Sequence, residues 1–220
     1  MPVTLAKDGL KILGWTCVLA AVGNTAAKAH PHVFAEARLE VSITDDGSIG
    51  ELRHVWRFDE LFSSTVLLEF DMNANLKFEP EELAEVGKIV HASLADFDYY
   101  TSIISNGKDV GISAPDAIHV DFADGQLLML FAVTPDRPVP LNGTISFGVY
   151  DPTMYTAIDF LNDSDLVVEG RLGACQRSVI RPDPDEILAQ NQESLTEAFF
   201  NDPEGNDFSK FFATRLELKC

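Results

Sequence analysis

Residues 33–58, "VFAEARLEVSITDDGSIGELRHVWRF", decide the fold. Val33, Ala35, Ala37, Leu39, Val41 and Ile43 alternate with Glu36, Arg38, Glu40 and Ser42. That is the period-two pattern of a strand with one buried face. Asp45-Asp46-Gly47-Ser48 is turn chemistry, and Ile49 to Phe58 supplies the return strand. With Asp46-Gly47 as a two-residue turn, Val41 faces Leu52, Leu39 faces His54, Ala37 faces Trp56 and Ala35 faces Phe58. Glu40 then meets Arg53 and Glu36 meets Arg57 on the other face. A slip by one residue would drive charges into the core. His54 falls on the apolar face, as a core histidine with a hydrogen-bond partner. His32 falls on the polar face, diagonal to Asp59.

Upstream, Lys7 and Lys11 precede an apolar run from Ile12 to Val22, and Ala27-Lys28-Ala29 is a small-x-small sequence. These are the three parts of a secretory signal. The apolar run is shorter than the roughly 20 residues that span a bilayer. Residues 1–29 are therefore expected to leave, and 30–220 to form one periplasmic domain that does not span the membrane. Cleavage after Ala29 puts His30-Pro31-His32 at the new terminus. The freed α-amine titrates near ~8 and can ligate metal when neutral. His30 can chelate through amine and ring, and His32 can add an imidazole. Pro31 lacks the amide hydrogen that the square-planar amino-terminal copper and nickel mode ionises. Nitrogen donors of this kind suit Zn, Ni, Co or Cu. If the hairpin pairing extends to its end, Asp59 joins them. Asp151, in "YDPTMYTAIDF" (150–160), joins too if that loop reaches the same tip, although a turn-capping role needs no metal.

Downstream, a helix is expected from about Asp59 to Phe70. "DMNANLKFEPEE" (71–82) follows, with Asp71, Asn73, Asn75 and Glu82 at positions 1, 3, 5 and 12 of an EF-hand-type loop. Leu76 stands where glycine serves the sharp turn, which leaves a weak calcium site or a polar connection between helices. Pro80 opens a second helix with Leu83, Val86, Val90 and Leu94 at helical spacing and His91 beside them on the surface. This helical insertion covers about 59–96. Strands are expected from Asp98 to Asn106-Gly107, from Val110 through a structural His119 to Asp124-Gly125, from Leu127 to Val133 and from Thr144 to Tyr150. A helix from about Asp185 to Phe200 and a closing strand at Arg215 complete the chain. The fold class is α+β, mainly β: an antiparallel β-sandwich or curved sheet with a helical insertion and a C-terminal helix.

Formal charge is −19 over 220 residues, and −21 once three lysines and Asp8 leave with the leader. Nucleic acid is excluded as a partner, because phosphate binding rests on basic patches. An acidic surface attracts cations. Cys175 and Cys220 are an even pair in an exported chain, which predicts a disulfide.

The order His-Pro-His, "HVWRFDE" (54–60), Asp-x-Asn-x-Asn (71–75), "DYYT" (98–101), "VYDPTMY" (149–155) and a terminal cysteine resembles the domain of unknown function 1007 family. The resemblance spans nearly all of the mature chain. It implies a periplasmic component of an ABC-type transport system, associated with nickel/cobalt-type exporters or other metal transporters. It supplies no catalytic residues. The leading expectation is a non-enzymatic metal-binding accessory of a membrane metal transporter or permease. Two alternatives stay open. One is a metal-dependent enzyme built on the N-terminal chelate, for which no Ser/His/Asp order, zinc-protease helix or phosphate loop names a substrate. The other is a metal-free protein-binding module using a sheet edge.

Overall fold

A computed structural model describes residues 31–190 and 208–220. The hairpin forms from β1 (Val33–Ile43) and β2 (Ile49–Phe58). Ala35, Ala37, Leu39 and Val41 pair with Phe58, Trp56, His54 and Leu52, and Glu36 and Glu40 pair with Arg57 and Arg53. Each of these pairs follows from the sequence pattern. The expected two-residue turn is not made. Asp45-Asp46-Gly47 is a three-residue loop closed by Thr44 N donating to Ser48 O at 2.9 Å, with Gly47 at φ +78°. The register shifts by one between Val41 and Ile43. Ser42 Oγ fills the irregularity, accepting from Glu51 N at 2.7 Å and donating to Glu51 O at 3.0 Å. A bulge thus absorbs the extra loop residue and leaves the core register intact.

On β2 lies β7 (Gln126–Pro135), antiparallel, followed at its far edge by β6 (His119–Ala123) and β5 (Ile112–Ser113). The free edge of β1 takes two short parallel strands, β9 (Thr156–Asp159) and β10 (Leu166–Glu169). The expected purely antiparallel sheet is therefore mixed. A second sheet runs in the order β11 (Gln176–Ile180), β12 (Arg215–Lys219), β8 (Thr144–Val149), β3 (Thr101–Ser105), β4 (Lys108–Val110). Leu39, Leu52, Trp56 and Leu127 of the first sheet and Ile103, Phe147, Leu216 and Leu218 of the second form one core. Neither sheet closes into a barrel, and both lend their inner faces to this core.

Two strand expectations are corrected. The segment expected as strand from Asp98 first makes a 3-10 turn (Ala95–Tyr100), with Asp98, Tyr99 and Tyr100 all left-handed at φ 48°, 48° and 55°. The stretch from Val110 to Phe122 is broken into pieces. It leaves the small sheet at Gly111, whose α-carbon has a Cβ position only 2.4 Å from the Asp136 carboxylate. Pro115, which has no amide to donate, then separates β5 from β6. The turns at Asn106-Gly107 and Asp124-Gly125 have positive φ at both residues, the geometry their sequences predict.

The insertion is α1 (Glu60–Phe70) and α2 (Pro80–Leu94). Ser63 docks α1 on the sheet, donating to Asp59 O at 2.7 Å and accepting from Leu127 N at 2.9 Å. Residues 184–190 are helical, and Ser209–Phe212 form one further turn. The rest of the expected C-terminal helix, the expected leader and His30 lie outside the described residues. Cys175 and Cys220 form the expected disulfide. Among the described residues no helix is long and apolar enough to cross a membrane.

Candidate functional site at the hairpin tip

The start of β1 and the end of β2 meet two other segments at one tip. His32 N and Val33 N both donate to Tyr155 O, at 2.8 and 3.2 Å, and Val33 pairs with Thr156 of β9. The His32 ring lies 5.0 Å from that of Tyr155. Asp59 N donates to Phe34 O at 2.9 Å. The backbone thus brings His32, Asp59 and the loop of Asp151 to the same end of the molecule.

Their side chains do not converge in the same way. Asp59 is the N-cap of α1, accepting from Phe62 N at 2.9 Å through Oδ1 and from Phe34 N at 3.0 Å through Oδ2. Such a cap satisfies amide donors that the first helical turn leaves unpaired. Asp151 is 2% exposed. Its Oδ1 accepts from Thr153 N at 2.8 Å and Thr153 Oγ1 at 2.6 Å, and its Oδ2 accepts from Thr156 N at 2.9 Å. The Tyr100 phenol lies close enough to feel its charge. His32, just before β1, is exposed, whereas Asp151 is buried. Among the described residues no three His, Cys, Asp or Glu side chains gather closely enough to hold a metal. Asp59 and Asp151 build and fix the tip through these hydrogen bonds, and His32 is exposed there.

Tyr100 is the residue that the sequence pattern did not single out. Its ring lies 5.9 Å from that of Trp56 at 23°, a stacked arrangement. Burial first, and then the charge of Asp151, push its phenol well above the ordinary value, so it is a neutral donor. Three successive left-handed residues set its position, each costing about 1–2 kcal/mol outside glycine. Asp-Tyr-Tyr reads as strand by propensity, and nothing in the sequence marks the turn.

The 71–82 loop has the helix–loop–helix outline expected of it, and Leu76 takes φ +59° at the glycine position. Asp71 accepts from Asn75 N at 3.1 Å and Leu76 N at 2.6 Å. Glu82 is buried, accepting from Met72 N at 2.9 Å and Glu79 N at 3.0 Å. Asn73 and Asn75 turn their amide nitrogens to Glu79, and the Asn75 contact leads the effects that hold the Glu79 carboxyl below its usual value. The four candidate calcium ligands are thus tied into the loop's own hydrogen bonds.

His54 is a core residue, stacked 4.5 Å from Phe131 with its Nε2 3.2 Å from Thr101 Oγ1. Thr101 gives its hydrogen to Tyr99 O, so His54 Nε2 is the donor, and Nδ1 has no partner among the described residues. His91 is half-buried, bonded to Pro115 O at 2.8 Å, rather than a plain surface residue. His119 is exposed in β6.

A family model described as protein of unknown function (DUF1007) matches residues 15–220. The chain belongs to DUF1007. This DUF1007 chain is 27% identical over 196 residues to an uncharacterized protein of Haemophilus influenzae, with 87% of this chain and 91% of the relative aligned. It is 22% identical over 134 residues to an "Uncharacterized 15.5 kDa protein in trpE 3'region" of Spirochaeta aurantia, with 61% of this chain and 96% of that one aligned.

Proposed function

We propose that this DUF1007 protein is an exported, periplasmic accessory of a membrane metal transporter of the nickel, cobalt or zinc type. It captures a transition metal and hands it over. The observation that supports this most is the anchoring of His32. Two main-chain hydrogen bonds to Tyr155 and the Phe34–Asp59 pair hold the residue that follows His30-Pro31 at a rigid tip. The α-amine and ring of His30 and the ring of His32 are the proposed ligands, and Asp59 and Asp151 hold the support beneath them. The disulfide suits an oxidising compartment. A net charge of −19 raises the local cation concentration.

Calorimetric titration of a protein beginning at His30 with Zn, Ni, Co and Cu tests the proposal. Replacing both His30 and His32 by Ala is expected to weaken binding at least tenfold, about 1.4 kcal/mol or more. Affinity should also fall as pH drops, because amine and imidazole bind only when deprotonated. Binding that survives the double substitution overturns the assignment.

A second reading, a metal-free docking module, is favoured by α1. It presents Leu61 (79% exposed), Leu68 (68%) and, just beyond its end, Met72 (79%) to solvent. Capture of a permease by metal-free protein would select that reading.

A further inference from the structure

The segments "DYYT" and "VYDPTMY" enter the proposed metal chemistry only through Asp151 and the Tyr155 carbonyl, yet they also meet each other. Tyr150 N donates to Tyr100 O at 2.9 Å. Around this junction lies a cleft of about 290 Å³. Its lining residues include three aromatics, Phe97, Tyr100 and Tyr150, and three aspartates, Asp96, Asp98 and Asp109. No lysine, arginine or histidine is among its lining residues. Arg137 lies close by, but it donates to the Asp109 main-chain carbonyl at 2.9 Å. None of the three aspartates enters an ion pair among the described residues.

Phe97 lies 6.2 Å from Tyr100 at 56°, and 39% of it stays exposed. Tyr100 is held by its stack on Trp56 and by the Tyr150 N bond to its carbonyl. Aromatic faces carry negative quadrupole and attract cations that bear an apolar shell. Nearby carboxylates add attraction without having to touch. A bare divalent ion would instead need several oxygen ligands at about 2.0–2.6 Å. We propose that this cleft binds a small organic cation, an alkylated ammonium group seated against Phe97 and Tyr100 and balanced by Asp96, Asp98 and Asp109. This site is independent of the metal assignment, and substitution of His30 and His32 should leave it unchanged.

Choline and its uncharged carbon isostere, 3,3-dimethylbutan-1-ol, are the probes. Titration of the full mature chain is followed by amide NMR shifts and by the fluorescence of Trp56. The other tryptophan, Trp15, lies in the expected leader. Saturable choline binding, at least about tenfold tighter than the isostere, is expected. Phe97→Leu keeps an apolar side chain but removes the ring, and should weaken choline about tenfold. Asp98→Asn suits a left-handed position, and combined with Asp109→Asn it should weaken choline severalfold and flatten the salt dependence. Equal binding of the isostere overturns the proposal, and so does the absence of a saturable response to choline up to about 10 mM. The comparison of the two probes on the unaltered protein needs no variant to fold.

Discussion

His54 shows what one misfit in a core does. Burial lowers its pKa to about 3, so the folded protein keeps it neutral where the unfolded chain, near 6.5, takes up a proton. Stability is then complete above about pH 6.5 and falls as pH drops toward 3, by up to ~1.4 kcal/mol per unit. Urea unfolding at pH 7 and pH 5 should show the wild type losing about 2 kcal/mol more than His54→Leu over that interval. Equal losses would mean that the ring is reached by solvent. In the variant Thr101 keeps its bond to Tyr99 O. Asp151 is the opposite case, a buried carboxylate whose value lies in the donors around it. Asp151→Ala leaves Thr153 N, Thr153 Oγ1 and Thr156 N without their acceptor, and should cost about 2–5 kcal/mol in thermal or chemical unfolding. The sequence marked both residues by type. It placed His54 correctly, because alternation alone assigns a strand residue to a face. It offered Asp151 as a ligand or a cap, and only the Thr153 and Thr156 contacts choose the cap.

Elements were legible where the pattern was long. The β1–β2 register follows from ten residues of alternation checked by two opposite-charge pairs across the strands. α2 follows from Pro80 and a stripe of four aliphatic residues. Short elements were not legible. β9 and β10 have four residues each, too few to display a period, and they pair with a strand far away in sequence. The left-handed turn at Asp98–Tyr100 is hidden because its residues favour strand and adopt this geometry only under tertiary constraint. The α2–β6 contact is equally silent in sequence. A Cβ on Gly87 would sit 2.4 Å from Ile118 O, so the helix backbone rests directly on the strand. Gly87→Ala should gain ~1 kcal/mol of helix propensity yet lose more through separation of the elements, for a net destabilisation of about 1–2 kcal/mol in a urea melt. A net gain would show that α2 can move outward at no cost.

At the scale of the molecule, the two sheets share one core, and the Cys175–Cys220 bond spans 45 residues of chain. Closing a loop of that length contributes ~4 kcal/mol on the chain-entropy estimate. Reduction, or Cys175→Ser with Cys220→Ser, should lower the melting temperature by several degrees while leaving the far-ultraviolet circular dichroism unchanged. Strand periodicity and cysteine parity were enough to foresee a β-rich fold closed by a disulfide. They could not show that His32 is exposed while Asp151 is buried, since that depends on where a distant strand attaches.

The attachment of that strand also sets a timetable. Leu39 must wait for Leu166, and Val33 for Thr156, before the outer margin of the first hairpin is covered. Until more than a hundred further residues have arrived, the nascent polypeptide offers an open row of amides and carbonyls on an aliphatic ribbon. Such far-separated partners slow assembly and leave the intermediate prone to sticking to other chains. Refolding yield should therefore drop steeply with protein concentration, and holdase chaperones would be most needed in the interval before that margin is sealed.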